Sequence, residues 1–138
     1  MAEDPVRVIK DLDAAWNAHD EEGVLTLFTD DAVVKIDPAL PGEPKAYTGK
    51  EEIRDFVQRH LPGFEVASRD HQAAGHQEGV GDRVIWESCV SSERLRGLGV
   101  DPAECMAEAI LKGSKIEFFT LSLSQETLAE MREAGSST

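Results

Sequence analysis

The segment from Ala14 to Val57 constrains the fold of this chain more than any other part. Its apolar positions, turn residues and acids predict a helix that closes over 14–20 and a short second helix over 23–28. Residues 29–38 then turn into a strand, and 47–57 opens a third helix. This order of elements favours a small α+β domain in which strands curve around helices.

Length and composition indicate one globular domain spanning 1–138, with 41% apolar residues and room for a core and a small cavity. No apolar run is long enough to cross a bilayer, and the first five residues lack the basic start and apolar core of a signal peptide. We therefore expect a cytoplasmic protein. The net charge of -13 argues against nucleic acid and anionic membranes as partners, because both attract clustered Lys and Arg.

Helix boundaries follow from capping patterns in the sequence. Asp4 and Pro5 predict the start of the first helix, since Pro lacks an amide hydrogen that the first turn leaves unpaired anyway. Asp20 predicts the cap of the second helix. The segment Thr48–Glu51 predicts a capping box for the third helix, which ends at Pro62-Gly63. The first helix carries one apolar stripe, made of Val8, Ile9, Leu12, Ala15 and Trp16.

From Phe64 onward the residue pattern becomes that of strands. The predicted strands cover 64–77, 83–94, 104–112 and 115–123, with turn-forming segments between them. Strands joined so briefly are expected to be antiparallel neighbours. Ser124 predicts the cap of a last helix over 125–133. These elements predict an α+β cone with one open mouth.

The order of elements over 14–57, including the block Phe28-Thr29-Asp30-Asp31-Ala32, resembles the NTF2-like superfamily. That superfamily includes ketosteroid isomerase, limonene-epoxide hydrolase and SnoaL-like polyketide cyclases, and the resemblance covers nearly the whole chain. It implies an NTF2-like cone, with a curved antiparallel sheet wrapped around N-terminal helices. It also implies a homodimer, since family members commonly pair through the sheet. Enzymes and non-enzymes share this fold, so each known chemistry has to be sought at its own positions.

The residue sets of two of these enzymes are not retained. In the comparison with ketosteroid isomerase, the base position falls on Ile36 or, with one inserted residue, on Asp37. The two donor positions fall on Leu12 and near Ala107, so no group is left to stabilise an enolate. The positions of the limonene-epoxide hydrolase set carry no titratable group. They are Val34, Ile36, Ser88, Val90 and a position near Leu121.

SnoaL-like cyclases place an Asp or a His in the pocket to move a proton next to a carbonyl group. The candidates here are Asp37, His60 and Glu108. Asp37 is either a pocket base or a turn residue before Pro38. His60 either assists catalysis or lies partly exposed on a helix face at the cone mouth. Glu108 is either a buried acid or a solvated residue of the outer face, and burial of an unpaired carboxylate is costly.

Periodicity predicts a mostly apolar pocket suited to a small hydrophobic or polyketide- or steroid-like molecule, with no cofactor and no metal. Three functions stay open. The chain is a SnoaL-like binding protein, or a proton-transfer enzyme of isomerase, cyclase or epoxide-opening type with Asp37 as base and His60 assisting. Alternatively, it is a dimeric interaction module whose side chains fill the cone. The predicted lining residues are Leu12, Trp16, Val34, Ile36, Phe56, Trp86, Ser88, Val90, Phe119 and Leu121.

The opposite face of the predicted sheet carries an apolar strip. Monomers rarely expose such a strip, so we expect two copies to pair across it, unless Leu128 and Met131 of the last helix cover it. The residues predicted to face outward are Ile85, Glu87, Cys89, Ser91, Met106, Ile110, Ile116, Phe118 and Thr120.

Cysteine and histidine spacing predicts neither a disulfide framework nor a metal site. Cys89 and Cys105 are expected to be free thiols that lie as neighbours on adjacent strands. His71 and His76 are five residues apart on a strand or its turn, so they face opposite ways and form a poor metal pair.

Overall fold

The helices of the structure agree with most of the predicted ones. This computed structural model describes residues 5–37, 43–77, 81–100 and 102–129. The sequence missed only the short helix Glu93–Gly97, and the predicted cap Asp4 and residues 130–133 lie outside the described part. Residues 125–129 are helical, with Ser124 Oγ accepting from the Thr127 amide at 3.1 Å as predicted for a cap. The helices are α1 Pro5–Asn17, α2 Glu21–Thr26, α3 Gly49–His60 and α4 Glu93–Gly97.

The strands of the described residues form one sheet. In chain order they are β1 Phe28–Asp37, β2 Ala46–Thr48, β3 Glu65–Gln77, β4 Gly81–Ser91, β5 Ala103–Lys112 and β6 Lys115–Leu123. Their order in the sheet is β2-β1-β6-β5-β4-β3. Strands β3 to β6 are antiparallel neighbours as predicted, whereas β1 pairs with β6 in parallel and with β2 in antiparallel orientation. The sequence missed β2 because three residues are too few to show an alternating pattern.

The sheet curves around α1 and α3, which is the predicted α+β cone. The stripe of α1 packs into it with Val8, Ile9, Leu12 and Trp16 buried. Its end is tied to β3 by Asn17, whose side chain accepts from the Val66 amide at 2.8 Å and donates to the Val66 carbonyl at 2.9 Å. The amide side chain thus takes the place of a neighbouring strand there.

The caps of α2 and α3 differ from each other. Asp20 caps α2 as predicted, since its Oδ1 accepts from the Gly23 amide at 3.0 Å. The capping box predicted for Thr48–Glu51 is wrong in both halves. The Thr48 side chain makes no capping bond, and the Thr48 amide donates to Oε1 of Glu52, not of Glu51, at 3.1 Å. The carboxylate thus comes from one residue further along the chain.

Alternation along β4 and β5 separates an inner face from an outer face. The side chains of Val84, Trp86, Ser88 and Val90 are buried inside the cone. On the outer face, Met106 and Phe118 are 51% and 43% exposed. The outward prediction for Ile116 is wrong, because this residue is fully buried. A register shift between β5 and β6 at Ile110/Leu111 interrupts the alternation.

The predicted pairing of the two cysteines is off by one residue. Cys105 lies opposite Ser88, and Cys89 lies opposite Glu104, so the two thiols point to different faces of the sheet. The two residues are not joined in a disulfide, and Cys89 is half-buried while Cys105 is buried. Within the described ranges, none of the helices is long and apolar enough to cross a membrane.

Candidate functional site

A cavity of about 60 Å³ lies inside the cone, between α1, α3 and the inner face of the sheet. Polar side chains contribute to its wall at only a few positions, notably Asp13, His60 and Ser88. The wall is formed by Leu12, Asp13, Trp16, Phe28, Val34, Ile36, Ile53, Phe56, Val57, His60, Phe64, Val66, Trp86, Ser88, Val90, Leu95, Ala103, Cys105, Phe119, Leu121 and Leu123.

Aromatic rings define the shape of this cavity. Trp16 stacks on Phe64 with ring centroids 4.2 Å apart and meets Phe56 edge-on at 6.0 Å. On the sheet side, the ring centroids of Trp86 and Phe119 are 5.7 Å apart. Large rings therefore fill much of the cone, which explains why the cavity is small.

The structure brings together all ten residues predicted to line the pocket, since each of them belongs to the cavity wall. Asp37 does not. The alternation that turns Val34 and Ile36 inward leaves Asp37 exposed at the end of β1, outside the cavity wall. Its position does not fit the predicted role as pocket base, because a general base has to reach the bound molecule.

His60 is buried in the cavity wall, not partly exposed, and its ring meets a buried carboxylate. Nε2 of His60 lies 2.8 Å from Oε1 of Glu43, whose side chain is 1% exposed. The Tyr47 hydroxyl donates to the same oxygen at 2.7 Å, and Nε of Arg94 donates to Oε2 at 3.0 Å. Arg59 Nη1 completes the cluster by donating to the Tyr47 hydroxyl at 3.1 Å.

This cluster fixes the ionisation of Glu43. Burial by itself raises the pKa of this carboxyl, but hydrogen bonds from His60, Tyr47 and Arg94 lower it to about 2. Burial and the bond to Glu43 raise the pKa of Tyr47 to about 12. The carboxylate therefore stays charged and ties the loop before β2 to α3 and α4, which makes the cluster a structural clamp beside the cavity.

Asp13 is the acid that faces the cavity itself. Burial raises the pKa of its carboxyl, while the neighbouring Ser68 hydroxyl and the His71 ring offset part of that rise. Ser68 Oγ and His71 Nε2 are buried, and neither has a hydrogen-bond partner of good geometry among the described residues. The His71 ring stacks on Trp86 with centroids 6.0 Å apart. Such a carboxyl in an apolar wall has the environment of a functional acid.

Sequence reasoning missed both Asp13 and Glu43. Asp13 had a signal, because it lies four residues after Ile9 and three before Trp16, inside the apolar stripe of α1. An acid at a stripe position faces the core. Glu43 had no such signal, since it lies outside the regular elements and its partners His60 and Arg94 are distant in sequence.

The remaining candidate groups do not form a second site. Glu108 lies on the outer face and pairs with Arg83 at 2.8 Å, so its solvated interpretation is the correct one. Burial raises the pKa of the Cys105 thiol to about 12, which removes it as a nucleophile. Within the described ranges, no group of three His, Cys, Asp or Glu residues is arranged to hold a metal ion, and the side chain of His76 lies outside them.

The cone and its apolar cavity define an NTF2-like protein. The family model of the SnoaL-like domain matches residues 9–101, and the chain belongs to that family. A comparison with curated proteins finds no match.

Solved structures share the whole fold at low sequence identity. One is an NTF2-like protein of unknown function from Cytophaga hutchinsonii, 11% identical, with a TM-score of 0.67 over 94% of this chain and 98% of that chain. Another is a computationally designed 17-OHP binder, 17% identical, with a TM-score of 0.70 over 89% and 92%. A third is a candidate polyketide cyclase from Sinorhizobium meliloti, 13% identical, with a TM-score of 0.64 over 83% and 93%. Similarity at this level shows the fold alone.

Proposed function

We propose that this protein binds a small, largely apolar molecule in the cavity of the cone. The observation that carries the proposal is the cavity itself, whose wall is apolar except at a few positions. Concave, mostly apolar sites with a few polar groups are where proteins bind small molecules. The designed 17-OHP binder and the candidate polyketide cyclase add support, because both have the same fold.

The size of the cavity limits the ligand. An apolar void of about 150 Å³ holds one benzene molecule, so this cavity takes roughly two or three non-hydrogen atoms without rearrangement, and a ring of six needs the wall to move slightly. Pockets for drug-sized ligands are about 300 Å³ or more, whereas this one is about 60 Å³. A steroid or polyketide therefore needs the aromatic wall to open, and a small molecule is the better fit.

Tryptophan fluorescence tests the binding. The chain has two tryptophans, and both Trp16 and Trp86 belong to the cavity wall. Methylcyclopentane, with six non-hydrogen atoms, should therefore change the emission saturably. Ala103→Leu fills the cavity and should abolish the change, while Ala14→Leu on the exposed side of α1 should preserve it. A wild-type protein whose emission stays constant up to the solubility limit of the probe contradicts the proposal.

Proton transfer on the bound molecule is a second candidate function, favoured by the raised pKa of Asp13 in the cavity wall. In this version Asp13, not Asp37, is the base. Nuclear magnetic resonance of cyclopentanone in deuterated buffer measures proton exchange at the carbons next to the carbonyl. Exchange that is catalysed by the wild type and by Asp37→Asn, but not by Asp13→Asn, supports this candidate.

We also propose a reducing, cytoplasmic setting and a homodimer. The setting is supported by the register of β4 and β5, which places Cys89 and Cys105 on different faces of the sheet, where they do not form a disulfide with each other. Mass spectrometry of protein alkylated in cells should find both thiols modified, and a disulfide would contradict the setting.

The dimer is supported by the exposure of Met106 and Phe118 on the outer face of the sheet.

A further inference from the structure

A carboxyl group in an apolar wall needs polar partners, and the protein satisfies this need of Asp13 only in part. His60 of the same wall is already bonded to Glu43, and the Cys105 thiol donates to the Ala103 carbonyl. Ser88 contributes a hydroxyl to the same wall. Asp13 and Ser88 are therefore the polar groups that remain to meet a bound molecule.

Ser68 of β3 connects these two wall residues. Ser68 of β3 is the pairing partner of Ser88 on β4, and the Ser68 hydroxyl is also close enough to influence Asp13. The ring of His71, also on β3, stacks on Trp86, and its influence on Asp13 is electrostatic. Ser68 and His71 thus favour the charged form of the carboxyl.

We propose that Asp13 and Ser88 form a polar subsite that binds the hydroxyl group of a small apolar alcohol, with Ser68 and His71 as positioning residues. A hydroxyl donates one hydrogen bond and accepts others. It can donate to the Asp13 carboxylate while accepting from the Ser88 hydroxyl. A carbonyl group has no proton to donate to a carboxylate, and an ammonium group loses most of its hydration in an apolar wall. The inference rests on the proposed function, because it needs a ligand in the cavity.

The test uses two probes of nearly equal shape and equal size, cyclopentanol and methylcyclopentane. Fluorescence titration at pH 8 gives a Kd for each, and the ratio of Kd for methylcyclopentane to Kd for cyclopentanol measures hydroxyl recognition. Asp13→Leu should lower this ratio about ten- to hundredfold, because a hydrogen bond to a charged group is lost. Asp11→Leu, at an exposed position of the same helix, should leave the ratio unchanged.

Two further variants test the surrounding residues. Ser88→Ala should lower the ratio about two- to tenfold, as expected for a neutral hydrogen bond. His71→Phe keeps a ring against Trp86 but removes the nitrogen atoms, so it should lower the ratio while leaving the Kd for methylcyclopentane unchanged. A merely structural role for His71 would alter both affinities together. Circular dichroism and the urea unfolding midpoint check that each variant is folded.

The outcomes separate the two proposals. If both probes bind and the ratio is the same in the wild type and in Asp13→Leu, the alcohol subsite is overturned while the binding function stands. If Asp13→Leu weakens cyclopentanone instead of cyclopentanol, the hydroxyl assignment is equally wrong. If neither probe binds the wild type, the proposed function fails and the subsite with it.

Discussion

Glu43 links the loop before β2 to its neighbours through a carboxylate that is 1% exposed and bonded to His60, Tyr47 and Arg94. We expect Glu43→Gln to lower the free energy of unfolding by about 3 kcal/mol, since removal of one charge from a buried pair leaves its partners uncompensated. Glu51→Gln, at an exposed position of α3, is the matched control and should cost less than about 0.5 kcal/mol. Urea unfolding at pH 7 measures both.

The difference in unfolding free energy between the wild type and Glu43→Gln should also depend on pH, in a direction set by the pKa of Glu43. In the folded state the pKa of Glu43 is lowered from 4.5 to about 2. Its contribution to stability is therefore complete above about pH 4.5 and is lost as the pH falls toward 2. The difference between the wild type and Glu43→Gln should be constant from pH 7 to 5 and then shrink. A difference that grows below pH 4 contradicts this assignment.

Asp13 should show the opposite behaviour. Burial raises its pKa, so the folded state carries a cost that appears as the pH rises through the folded pKa. Asp13→Asn should therefore be more stable than the wild type at pH 8, by about 1 kcal/mol, and the gain should fall as the pH is lowered. Asp11→Asn on the exposed side of α1 should show no such trend in thermal unfolding. A pH-independent gain for Asp13→Asn rejects the assignment.

The sequence predicted residues well where periodicity applies. The lining residues Leu12 and Trp16 come from a helical stripe, and Trp86 comes from strand alternation, so the face of each side chain follows from its position. Asp13 lies in the same stripe and had the same signal. The partners of Glu43 could not be predicted, because an irregular segment has no period and tertiary contacts alone decide where its side chains point.

At the scale of elements, the two N-terminal caps predict different sensitivities to the same kind of substitution. Asp20 accepts from the Gly23 amide at 3.0 Å, so Asp20→Ala should cost about 1 kcal/mol of unfolding free energy. Thr48 makes no side-chain capping bond, so Thr48→Ala should cost clearly less. Urea denaturation measures the unfolding free energy of both variants. Equal decreases in the two variants would show that the observed cap geometry does not determine helix stability here.

Element boundaries were predictable where length allowed a pattern to repeat. Helix α1 and strand β6 follow from several periods of alternation. The five-residue α4 and the three-residue β2 are shorter than the patterns that identify helices and strands. The burial of Ile116 was missed for another reason, since the register shift between β5 and β6 reverses the side-chain direction. Such a shift depends on the partner strand.

At the scale of the whole molecule, the cavity volume is the difference between the space that the cone encloses and the volume of the side chains that fill it. Apolar lining was predictable residue by residue, but the remaining space of about 60 Å³ depends on how Trp16, Phe64 and Phe56 pack together. Rotamers and ring stacking decide that, and neither is encoded in a local pattern. The fold could therefore be predicted in outline, and the ligand size only from the assembled structure.

The outer face of the sheet predicts the assembly of the whole molecule. Met106 and Phe118 are 51% and 43% exposed, with Ile85 and Ile110 half-buried on the same face. The sequence left open the alternative that the last helix covers them, and Met131 of that helix lies outside the described residues. A second copy packed across a twofold axis buries this strip against itself. We therefore expect a dimer in the wild type at micromolar concentration.

Sedimentation velocity tests the dimer. Phe118→Asp should dissociate it, because two carboxylates would then be buried near the twofold axis without partners. Gln58→Asp, at an exposed position of α3, should leave the dimer intact and controls for the added charge. A wild-type protein that sediments as a monomer at about 50 μM rules out this interface, because a dimer with a Kd of about 1 μM is mostly assembled at that concentration. The outer strip is then either covered within one chain or exposed to solvent.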